Sequence, residues 1–463
     1  MRLVLDPAYL ALAYLAAAIL FILGLKGLTH PASARRGNLY AVAGMVLAVA
    51  ATLCNPAVRS YGFIVAGVAI GAAIGIPLAL KIRMTAMPQL VAALHSFVGL
   101  AATLVAVGTY YAHTAAPDKL LLAEIGIGGV IGAITFTGSL VAFGKLQGLL
   151  SGSPVVFKGQ HALNLLLAAI MLAVAAAFVL QNRPAWLMVV LAIAFLLGVL
   201  LVIPIGGADM PVVVSMLNSY SGWAAAATGF TLQNHLLIIT GALVGFSGAI
   251  LSYIMSKAMN RSIVSIVLGG FGGGDGGAQA LDAVAGRGVK TAAVEDAVFV
   301  MVNAAKAVIV PGYGMAVAQA QHALKELMEM LSARGVEVKF AIHPVAGRMP
   351  GHMNVLLAEA DVPYENVVEM DDINPELAAA DVVLVVGAND VTNPAAKSDR
   401  ASPIYGMPIL EVYKARHVFF VKRSMSPGYA GIENRLFYQE NCSLIFGDAK
   451  KVCERMVAEL KAA

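Results

Sequence analysis

The segment Ala307-Val-Ile-Val-Pro-Gly312-Tyr313-Gly314-Met-Ala-Val317 reads as a short apolar strand that runs into a glycine-rich turn and then a helix. A turn of this kind presents backbone N–H groups and the positive end of a helix, and its glycines let a pyrophosphate approach the backbone closely. The same sequence pattern is equally typical of an ordinary tight turn between a strand and a helix. The segment therefore predicts an α/β fold around it, with a nucleotide as the candidate ligand.

The composition of the whole chain indicates a membrane protein. Of its 463 residues, 59% are hydrophobic and 13% are charged, which lies outside the usual balance of soluble domains. The formal net charge of +4, without a Lys/Arg run, gives no indication of a nucleic-acid partner. Cys54, Cys442 and Cys453 have neither metal-ligand spacing nor an even count, so we expect no metal site and no disulfide framework.

Nine apolar stretches are candidates to cross a bilayer, whose core takes about 20 helical residues. Lipid forbids unsatisfied backbone groups, so each stretch is expected to be a helix. The second and third stretches are short, are diluted by glycine and are separated by a turn at Asn55-Pro56. The approximate limits of the nine are 7–29, 38–53, 62–80, 88–110, 121–143, 161–180, 185–202, 208–229 and 235–256.

The distribution of basic residues predicts the orientation of these stretches, because Lys and Arg in short loops stay on the cytoplasmic side. If the N-terminus lies outside, the cytoplasmic loops carry Lys26, Arg35, Arg36, Lys81, Arg83, Lys145, Lys158, Lys257 and Arg261. The opposite side then carries Arg2, Arg59, Lys119 and Arg183. We therefore expect an odd number of spans and a cytoplasmic C-terminal segment.

Polar side chains inside the apolar stretches are costly in lipid, so each is a functional candidate. His95 lies in the fourth stretch, Ser139 in the fifth and Asn218 in the eighth, with Asp209 near the cytoplasmic end of the eighth. An imidazole can take up and release protons near neutral pH, although a structural histidine bonded to a carbonyl is the alternative for His95. The neighbouring hydroxyl groups favour helix packing instead; they belong to Ser96, Thr135 and Ser215.

A glycine-rich stretch, Leu268-Gly-Gly-Phe-Gly-Gly-Gly-Asp-Gly-Gly277, has too little apolar surface to fold by itself. A phosphate loop is the alternative, but no Lys-Ser/Thr follows and no strand immediately precedes it. We therefore predict a transmembrane domain over residues 1–260, a linker over 261–290 and a nucleotide-binding domain over 291–463.

The C-terminal segment alternates short apolar runs with amphipathic stretches, as in a doubly wound, Rossmann-like α/β sheet. We expect a strand over 307–311, a helix over 315–333 and a strand over 336–342. A fold of this type that prefers NAD has an acid about 20 residues beyond the glycines. Here the second strand ends Ala341-Ile342-His343-Pro344, without an acid, which permits NADP.

Polar residues follow the predicted strands, where open α/β sheets bind ligands. Arg348 can hold phosphate oxygens bidentately. Two further strands end in Gly387-Ala388-Asn389-Asp390 and in Lys422-Arg423-Ser424. Two cations and a hydroxyl suit the 2′-phosphate of NADP, although a solvated basic turn has the same composition. Gly428-Tyr429-Ala430 is either a hinged flap over the nucleotide or a simple turn.

Taken together, these motifs resemble the β-subunit family of the proton-translocating NAD(P) transhydrogenases, over nearly the whole chain. In the C-terminal segment the resemblance is carried by Gly-Tyr-Gly-Met-Ala-Val-Ala-Gln-Ala-Gln at 312–321, His-Pro-Val-Ala-Gly-Arg-Met-Pro-Gly-His-Met-Asn at 343–354, Gly-Ala-Asn-Asp at 387–390, Lys-Arg-Ser-Met at 422–425 and Phe-Gly-Asp-Ala-Lys at 446–450. In the apolar part it is carried by His95-Ser-Phe-Val-Gly-Leu-Ala-Ala, Thr135-Phe-Thr-Gly-Ser139 and Ser215-Met-Leu-Asn218-Ser.

The resemblance implies one half of a two-subunit enzyme. Hydride would pass from NADH on an α subunit, which carries the NAD(H)-binding domain and further membrane helices, to NADP bound here. Protons entering the cytoplasm would drive the transfer. The resemblance also implies a homodimer of the α/β unit, surrounded by the lipid of a bacterial inner membrane.

The resemblance further implies roles for individual residues. It assigns NADP(H) contacts to Gly312, Tyr313, Gly314, Met315, Ala316, Val317, Arg348, Gly387, Ala388, Asn389, Asp390, Lys422, Arg423, Ser424, Gly428, Tyr429, Ala430, Gly447 and Asp448. Asp390, on the nicotinamide side, and His343 are the candidate catalytic residues. The candidate proton path consists of His95, Ser139, Asn218 and Asp209.

Two other functional classes remain open at this point. Hydride moves directly between two juxtaposed nicotinamide rings, so a transhydrogenase needs positioning and gating rather than an acid–base catalyst. A solute or ion transporter whose cytoplasmic domain senses NADP(H) without reacting is the main alternative. A membrane-bound dehydrogenase with an organic substrate is the other, although no substrate domain is recognisable.

Overall fold

The computed structural model describes residues 6–28, 31–56, 58, 60–112, 117–152, 154–268, 288–349, 351–400, 402, 404–426 and 432–462. The chain forms two compact units. The first comprises Met1–Phe143, Gly159–Leu200 and Met216–Ala249, and the second comprises Gly144–Lys158, Leu201–Ser215 and Ile250–Ala463. The second unit thus joins the C-terminal segment to two short pieces of the apolar part.

Long helices make up the apolar part of the described chain. They are α1 (Pro7–Leu28), α2 (Pro31–Leu53), α3 (Tyr61–Lys81), α4 (Met87–Ala112), α5 (Lys119–Gln147), α6 (Gln160–Gln181), α7 (Pro184–Val202), α8 (Met210–Thr231) and α9 (His235–Ala258). Eight of these helices are long and apolar enough to span a membrane, which confirms the helical membrane part. The serines and Asn218 of α8 make it too polar to count among the eight, so a ninth span stays a prediction.

Small residues bring the helices of the first unit close together. A Cβ added at Gly99 of α4 would lie 2.6 Å from the carbonyl oxygen of Gly132 in α5. A Cβ added at Gly222 of α8 would lie 2.3 Å from the backbone nitrogen of Gly245 in α9. Helices in lipid associate through such close packing, because the hydrophobic effect does not drive them together.

Helix α3 is an exception among these helices. None of its described residues is buried. A Cβ added at Gly67, Gly71 or Gly75 would meet nothing within 4 Å. Its glycines therefore serve no packing contact within this chain's described residues.

One sheet of six parallel strands forms the centre of the C-terminal segment, as predicted. The strands are β1 (Lys306–Pro311), β2 (Glu337–Ile342), β3 (Val367–Glu369), β4 (Val382–Val386), β5 (His417–Lys422) and β6 (Cys442–Phe446). Their order is β3-β2-β1-β4-β5-β6. Successive strands are added towards one edge of the sheet from β1 to β3 and towards the other edge from β4 to β6, so the strand order reverses between β1 and β4. Open parallel sheets bind ligands outside the carboxyl ends of the strands at such a point.

The core of this sheet is built from the strands themselves. Every residue of β4 is buried, because strands of a parallel sheet are covered on both faces and become continuously apolar. Phe420 of β5 packs edge-to-face on Phe437, with ring centroids 4.9 Å apart. This apolar interior leaves polar side chains to the loops at the strand ends.

The described chain beyond α9 also contains shorter helices: α10 (Ile263–Leu268), α11 (Val294–Val302), α12 (Tyr313–Ala318), α13 (Gln321–Ala333), α14 (His352–Glu359), α15 (Met370–Ile373), α16 (Ala395–Ser398) and α17 (Ala449–Ala462). The prediction of one continuous helix over 315–333 is wrong. Gln319 adopts a left-handed conformation with φ +56° and ends α12. Helix α10 falls within the predicted linker, whereas most of the glycine-rich stretch and Gly428, Tyr429 and Ala430 lie outside the described residues.

Candidate functional site

Two glycine turns meet at the carboxyl ends of β1 and β4. The N–H of Gly312 donates to the Val386 carbonyl and the N–H of Gly314 donates to the Gly387 carbonyl, both at 2.9 Å. A Cβ added at Gly312 would lie 2.4 Å from the backbone of Ala388, and one added at Gly314 would lie 2.7 Å from Gly387 Cα. Gly387 itself has φ +69°. No side chain fits at these three positions, so the two turns form one cradle of bare backbone.

The remaining residues of the first turn complete this cradle. Met315 and Ala316 direct their N–H groups to the Gly312 carbonyl, at 3.0 and 3.4 Å, and both side chains are buried. Val317 is exposed. The N–H groups of Gly314 and Met315 already donate hydrogen bonds within the cradle. They therefore fix the turn and are not available to a ligand. Further donors for a ligand lie in the surrounding loops.

Three side chains in those loops carry buried donor nitrogens that have no acceptor among the described residues. They are Arg348 Nε, His352 Nε2 and Asn389 Nδ2. Buried polar groups without a partner are rare in folded proteins. Three such donors around one cradle suit a ligand that brings acceptor oxygens, as a phosphate does.

Arg348 is attached to two parts of the second unit. Its guanidinium lies over the ring of Tyr313, 4.4 Å from the centroid. Its Nη1 donates to the carbonyl of Leu146, at the C-terminal end of α5, at 2.9 Å. A helix C-terminus carries partial negative charge and so attracts a guanidinium. Arg348 therefore lies beside the first glycine turn and also contacts the end of α5.

Asn389 and Asp390 follow β4 and are held by a third amide. The side-chain amide of Asn434 is fully buried, and it donates to the Asn389 carbonyl at 3.0 Å and to Asn389 Oδ1 at 3.3 Å. Asn434 Oδ1 in turn accepts from the N–H of Leu436 at 2.9 Å. Asn434 therefore fixes the loop that carries Asp390.

Lys422 and Ser424 lie at the end of β5, beside the loop after β4. The ammonium of Lys422 donates to the Ser426 carbonyl at 2.9 Å and lies 4.5 Å from the centroid of the Phe437 ring. Burial lowers the pKa of Lys422, while the charge of Asp390 acts to raise it. Ser424 and Arg423 are exposed. The basic end of β5 thus lies within electrostatic reach of the Asp390 loop.

Gly447 and Asp448 lie at the end of β6. The N–H of Gly447 donates to the Lys422 carbonyl at 2.8 Å, which places it beside the basic end of β5. Asp448 Oδ1 accepts from the N–H groups of Lys450 and Lys451 at 3.2 and 3.3 Å. The carboxylate of Asp448 therefore caps the N-terminus of α17.

Both ring nitrogens of His343 are engaged. Nε2 donates to the Pro408 carbonyl at 2.8 Å, and Nδ1 accepts from the N–H of Val345 at 3.2 Å. Burial lowers the pKa of His343 from its ordinary 6.5 to about 4. His343 is therefore a neutral, buried histidine that connects the loop after β2 to Pro408.

In the first unit, His95 contacts Ser221, one turn beyond Asn218 on α8. Ser221 Oγ donates to the Asn218 carbonyl at 2.7 Å, so His95 Nδ1 donates to Ser221 Oγ at 3.2 Å. His95 Nε2 is then an acceptor, buried and without a partner among the described residues. Ser139 Oγ on α5 is likewise buried without a described partner. Sites that accept a proton or a water thus lie on two of the helices predicted for the proton path.

Asp209 is buried in an ion pair in the second unit. Nη1 of Arg261, just beyond α9, lies 2.7 and 2.9 Å from its carboxylate oxygens. Lys145 at the end of α5 donates to the carbonyls of Ile203 and Ile205 at 2.5 and 2.8 Å, which fixes the loop that leads to Asp209. This ion pair thus connects the start of α8 to the segment that follows α9.

The sequence matches the family described as NAD(P) transhydrogenase beta subunit over residues 10–459. Two proteins from Rhodospirillum rubrum, both named NAD(P) transhydrogenase subunit beta, are 58% identical to it over 452 residues. The alignments cover 96% of this chain and 97% of each relative. The chain belongs to the NAD(P) transhydrogenase beta subunit family. The resemblance inferred from the motifs and the predicted enzyme class are thereby confirmed.

Four residues of these sites were missed by the sequence analysis. Ser221 lies three positions after Asn218 on the same helical face, so helical spacing could have found it. Arg261 was counted only as a loop cation. His352 and Asn434 carry no strand-end pattern of their own, and only the folded loops place them beside Arg348 and Asn389.

Proposed function

We propose that this subunit binds NADP(H) in the cradle between β1 and β4. The single observation that carries the proposal is the meeting of two bare glycine turns with three buried, unpaired donors at the point where the strand order reverses. The order 3-2-1-4-5-6 is that of the dinucleotide-binding Rossmann fold, which supports the predicted doubly wound architecture.

The residues of the cradle fit a dinucleotide. The glycines at 312, 314 and 387 leave room for a pyrophosphate against the backbone. Arg348 and Asn389 supply donors that are otherwise unsatisfied. Lys422, Arg423 and Ser424 would hold the 2′-phosphate, because two cations and a hydroxyl match a phosphate monoester. No acid follows Ile342, so nothing there would repel that phosphate.

We infer that the enzyme transfers hydride between this NADP(H) and NAD(H) on a partner α subunit. The bound nicotinamide supplies the hydride chemistry itself. This chain positions the ring. We place Asp390 beside the ring, in the loop that the hydrogen bond from Asn434 to the Asn389 carbonyl holds in place. We assign His343 a positioning role, because both of its nitrogens are used inside the protein.

We also propose that proton movement across the membrane drives this transfer, through His95, Ser139, Asn218 and Asp209. The unpaired Nε2 of His95 and Oγ of Ser139 support a relay, since the imidazole can accept a proton and the hydroxyl can hydrogen-bond a water. The Asp209–Arg261 pair supports a role in passing the protonation state to the C-terminal segment. Coupling requires only that the two states of that segment differ in proton affinity.

The assembly that we propose contains the α subunit and is a dimer of α/β units in a bacterial inner membrane, with the C-terminal segment in the cytoplasm. The family's subunit name supports the α partner, and the basic loops support the orientation. With α8 as the ninth span, an outside N-terminus leads to this arrangement. The division into residues 1–260, 261–290 and 291–463 belongs to the same proposal.

Equilibrium binding tests the nucleotide site. Full-length protein in detergent should bind NADP(H) and should bind NAD(H) at least tenfold more weakly, because one charge-assisted phosphate contact contributes roughly 1.5 kcal/mol or more. Calorimetry with both nucleotides measures the difference. Equal affinities, or no affinity for either nucleotide, would contradict the proposed site.

A further inference from the structure

His352, the first residue of α14, is the one member of the donor cluster for which the sequence motifs suggested no role. Its side chain is fully buried. Nδ1 accepts from the N–H of Arg348 at 3.0 Å. Its ring lies beside Tyr313 of the first glycine turn, with centroids 6.2 Å apart. His352 therefore contacts both loops that flank the cradle.

The contact at Nδ1 determines which nitrogen carries the proton. A backbone N–H can only donate, so Nδ1 is the acceptor and the proton of the neutral ring is on Nε2. Burial and the neighbouring charge of Arg348 lower the pKa of His352 to about 4, which keeps the ring neutral at physiological pH. Nε2–H is thus a fixed, buried donor, and no described residue accepts from it.

The loop before α14 is shaped to hold this ring. Gly347 has φ +106°, and a Cβ added there would lie 2.6 Å from both Cβ and Nδ1 of His352. Gly351, directly before the histidine, has φ +66°. Side chains rarely adopt such backbone angles, so the two glycines permit a loop that places Arg348 and His352 together.

We propose that His352 is a further ligand of the dinucleotide, with its Nε2–H donating to an oxygen of the pyrophosphate. This inference rests on the proposed NADP(H) site. The same loop then supplies a charged donor from Arg348 and a neutral one from His352. An N–H contact to the π face of Tyr313 is the competing use of the same proton, and the test distinguishes the two.

A matched pair of substitutions separates the two nitrogens. His352→Asn retains an acceptor at the position of Nδ1 and lacks the distal donor. His352→Gln retains a donor at the position of Nε2 and lacks the proximal acceptor. Both full-length variants are titrated in detergent with NADP and with 2′-AMP, which has no pyrophosphate and reports whether the rest of the site is folded. The 31P spectrum of bound NADP gives a second readout.

We expect His352→Asn to bind NADP roughly tenfold more weakly than the wild type, with unchanged affinity for 2′-AMP. Its pyrophosphate 31P resonances should shift while the 2′-phosphate resonance does not, and His352→Gln should restore most of the affinity. Wild-type affinity in His352→Asn, or equal losses in both variants, would overturn the inference and leave the proposed site intact. Failure of the wild type to bind NADP would overturn the proposed function itself.

Discussion

The membrane helices and the α/β sheet both use glycine to bring backbones together, but for different ends. Gly99 and Gly132 bring α4 and α5 into contact along their lengths. Gly312 and Gly387 bring two loops into contact at one edge of the sheet. The glycines of the membrane helices let two helices pack against each other. The glycines of the sheet leave a surface of backbone that no side chain covers. The same residue type therefore marks helix packing in the membrane part and the proposed nucleotide site at the sheet.

The polar groups left without partners differ between the two regions in a similar way. Around the cradle they include three donors, on Arg348, His352 and Asn389, which suit an anion. In the helices they include an acceptor nitrogen of His95 and a hydroxyl of Ser139, which suit a proton or a water. This difference supports the proposal that the two regions serve different ligands, and each of the following predictions tests one side of it.

The largest effect is expected for His95→Ala. Loss of the imidazole should abolish proton movement in reconstituted vesicles, while hydride transfer between nucleotides that are already bound continues, because the cradle lies in the other unit. A pH-sensitive dye and a single-turnover nucleotide assay measure the two steps. A folded His95→Ala enzyme with normal proton uptake would show that the histidine only packs, and Asn218 with Ser139 would become the better candidates.

Gly312→Ala should nearly eliminate NADP binding. The new Cβ would lie 2.4 Å from the backbone of Ala388, which cannot move aside as a flexible side chain could. Overpacking of this kind costs roughly 1–3 kcal/mol, or up to about 100-fold in affinity. Gly288→Ala is the matched control, since nothing lies within 4 Å of that position. Equal affinities of the two variants would contradict the cradle.

Gly99→Ala should destabilise the membrane part by roughly 1–3 kcal/mol, because its Cβ would lie 2.6 Å from the Gly132 carbonyl oxygen. Gly67→Ala on α3 is the control, with no atom within 4 Å. Thermal unfolding in detergent, followed through the helical signal, compares the variants. If both melt like the wild type, glycine does not set the α4–α5 contact.

Arg423→Ala should weaken NADP binding by roughly 1.5–3 kcal/mol and leave NAD binding almost unchanged, because only NADP carries the 2′-phosphate. Arg416, at the other end of β5, gives the control variant Arg416→Ala, for which both affinities should stay at the wild-type level. Equal losses for NADP and NAD in Arg423→Ala would refute the assignment of the 2′-phosphate.

The smallest effect concerns pH. The pKa of His343 is lowered from 6.5 to about 4 by burial, so the unfolded chain takes up this proton first. The stability that the neutral ring contributes is complete above pH 6.5 and is lost as the pH falls towards 4, by about 1 kcal/mol at pH 5.5. His343→Gln should therefore show a smaller decrease in urea midpoint between pH 7.5 and 5.5 than the exposed control His322→Gln. The same decrease in both would contradict this.

Much of the fold follows from the sequence because hydropathy and strand patterns are local. Eight helices fall on the predicted apolar stretches, and β1 and β2 fall on the predicted strands. The break between α12 and α13 escaped prediction, because a left-handed Gln319 leaves no mark on the helical pattern. Helix α8 has the length of a membrane span, but its serines and its asparagine make it polar. The asparagine, Asn218, is also the residue that makes α8 a candidate for the proton path.

The site was less predictable than the fold. Motifs at strand ends could be placed near one another because parallel strands end at one edge. The contact of Asn434 with Asn389 joins two loops that no pattern in the sequence relates, and the contact of His352 with Arg348 depends on the fold of the loop after β2. The engagement of both nitrogens of His343 is likewise a property of the packed loop.

The most direct test of the account uses the chain together with its α partner in sealed vesicles, with the nucleotide sites facing outward. Reduction of thio-NADP, an NADP analogue whose reduced form absorbs at a longer wavelength than NADH, is followed by absorbance with NADH as the hydride donor, while a dye reports the pH of the lumen. We expect reduction to require both nucleotides, protons to leave the lumen as the reduced nucleotide forms, and an uncoupler to abolish the pH change. Hydride transfer without any proton movement, or proton movement without hydride transfer, would contradict it.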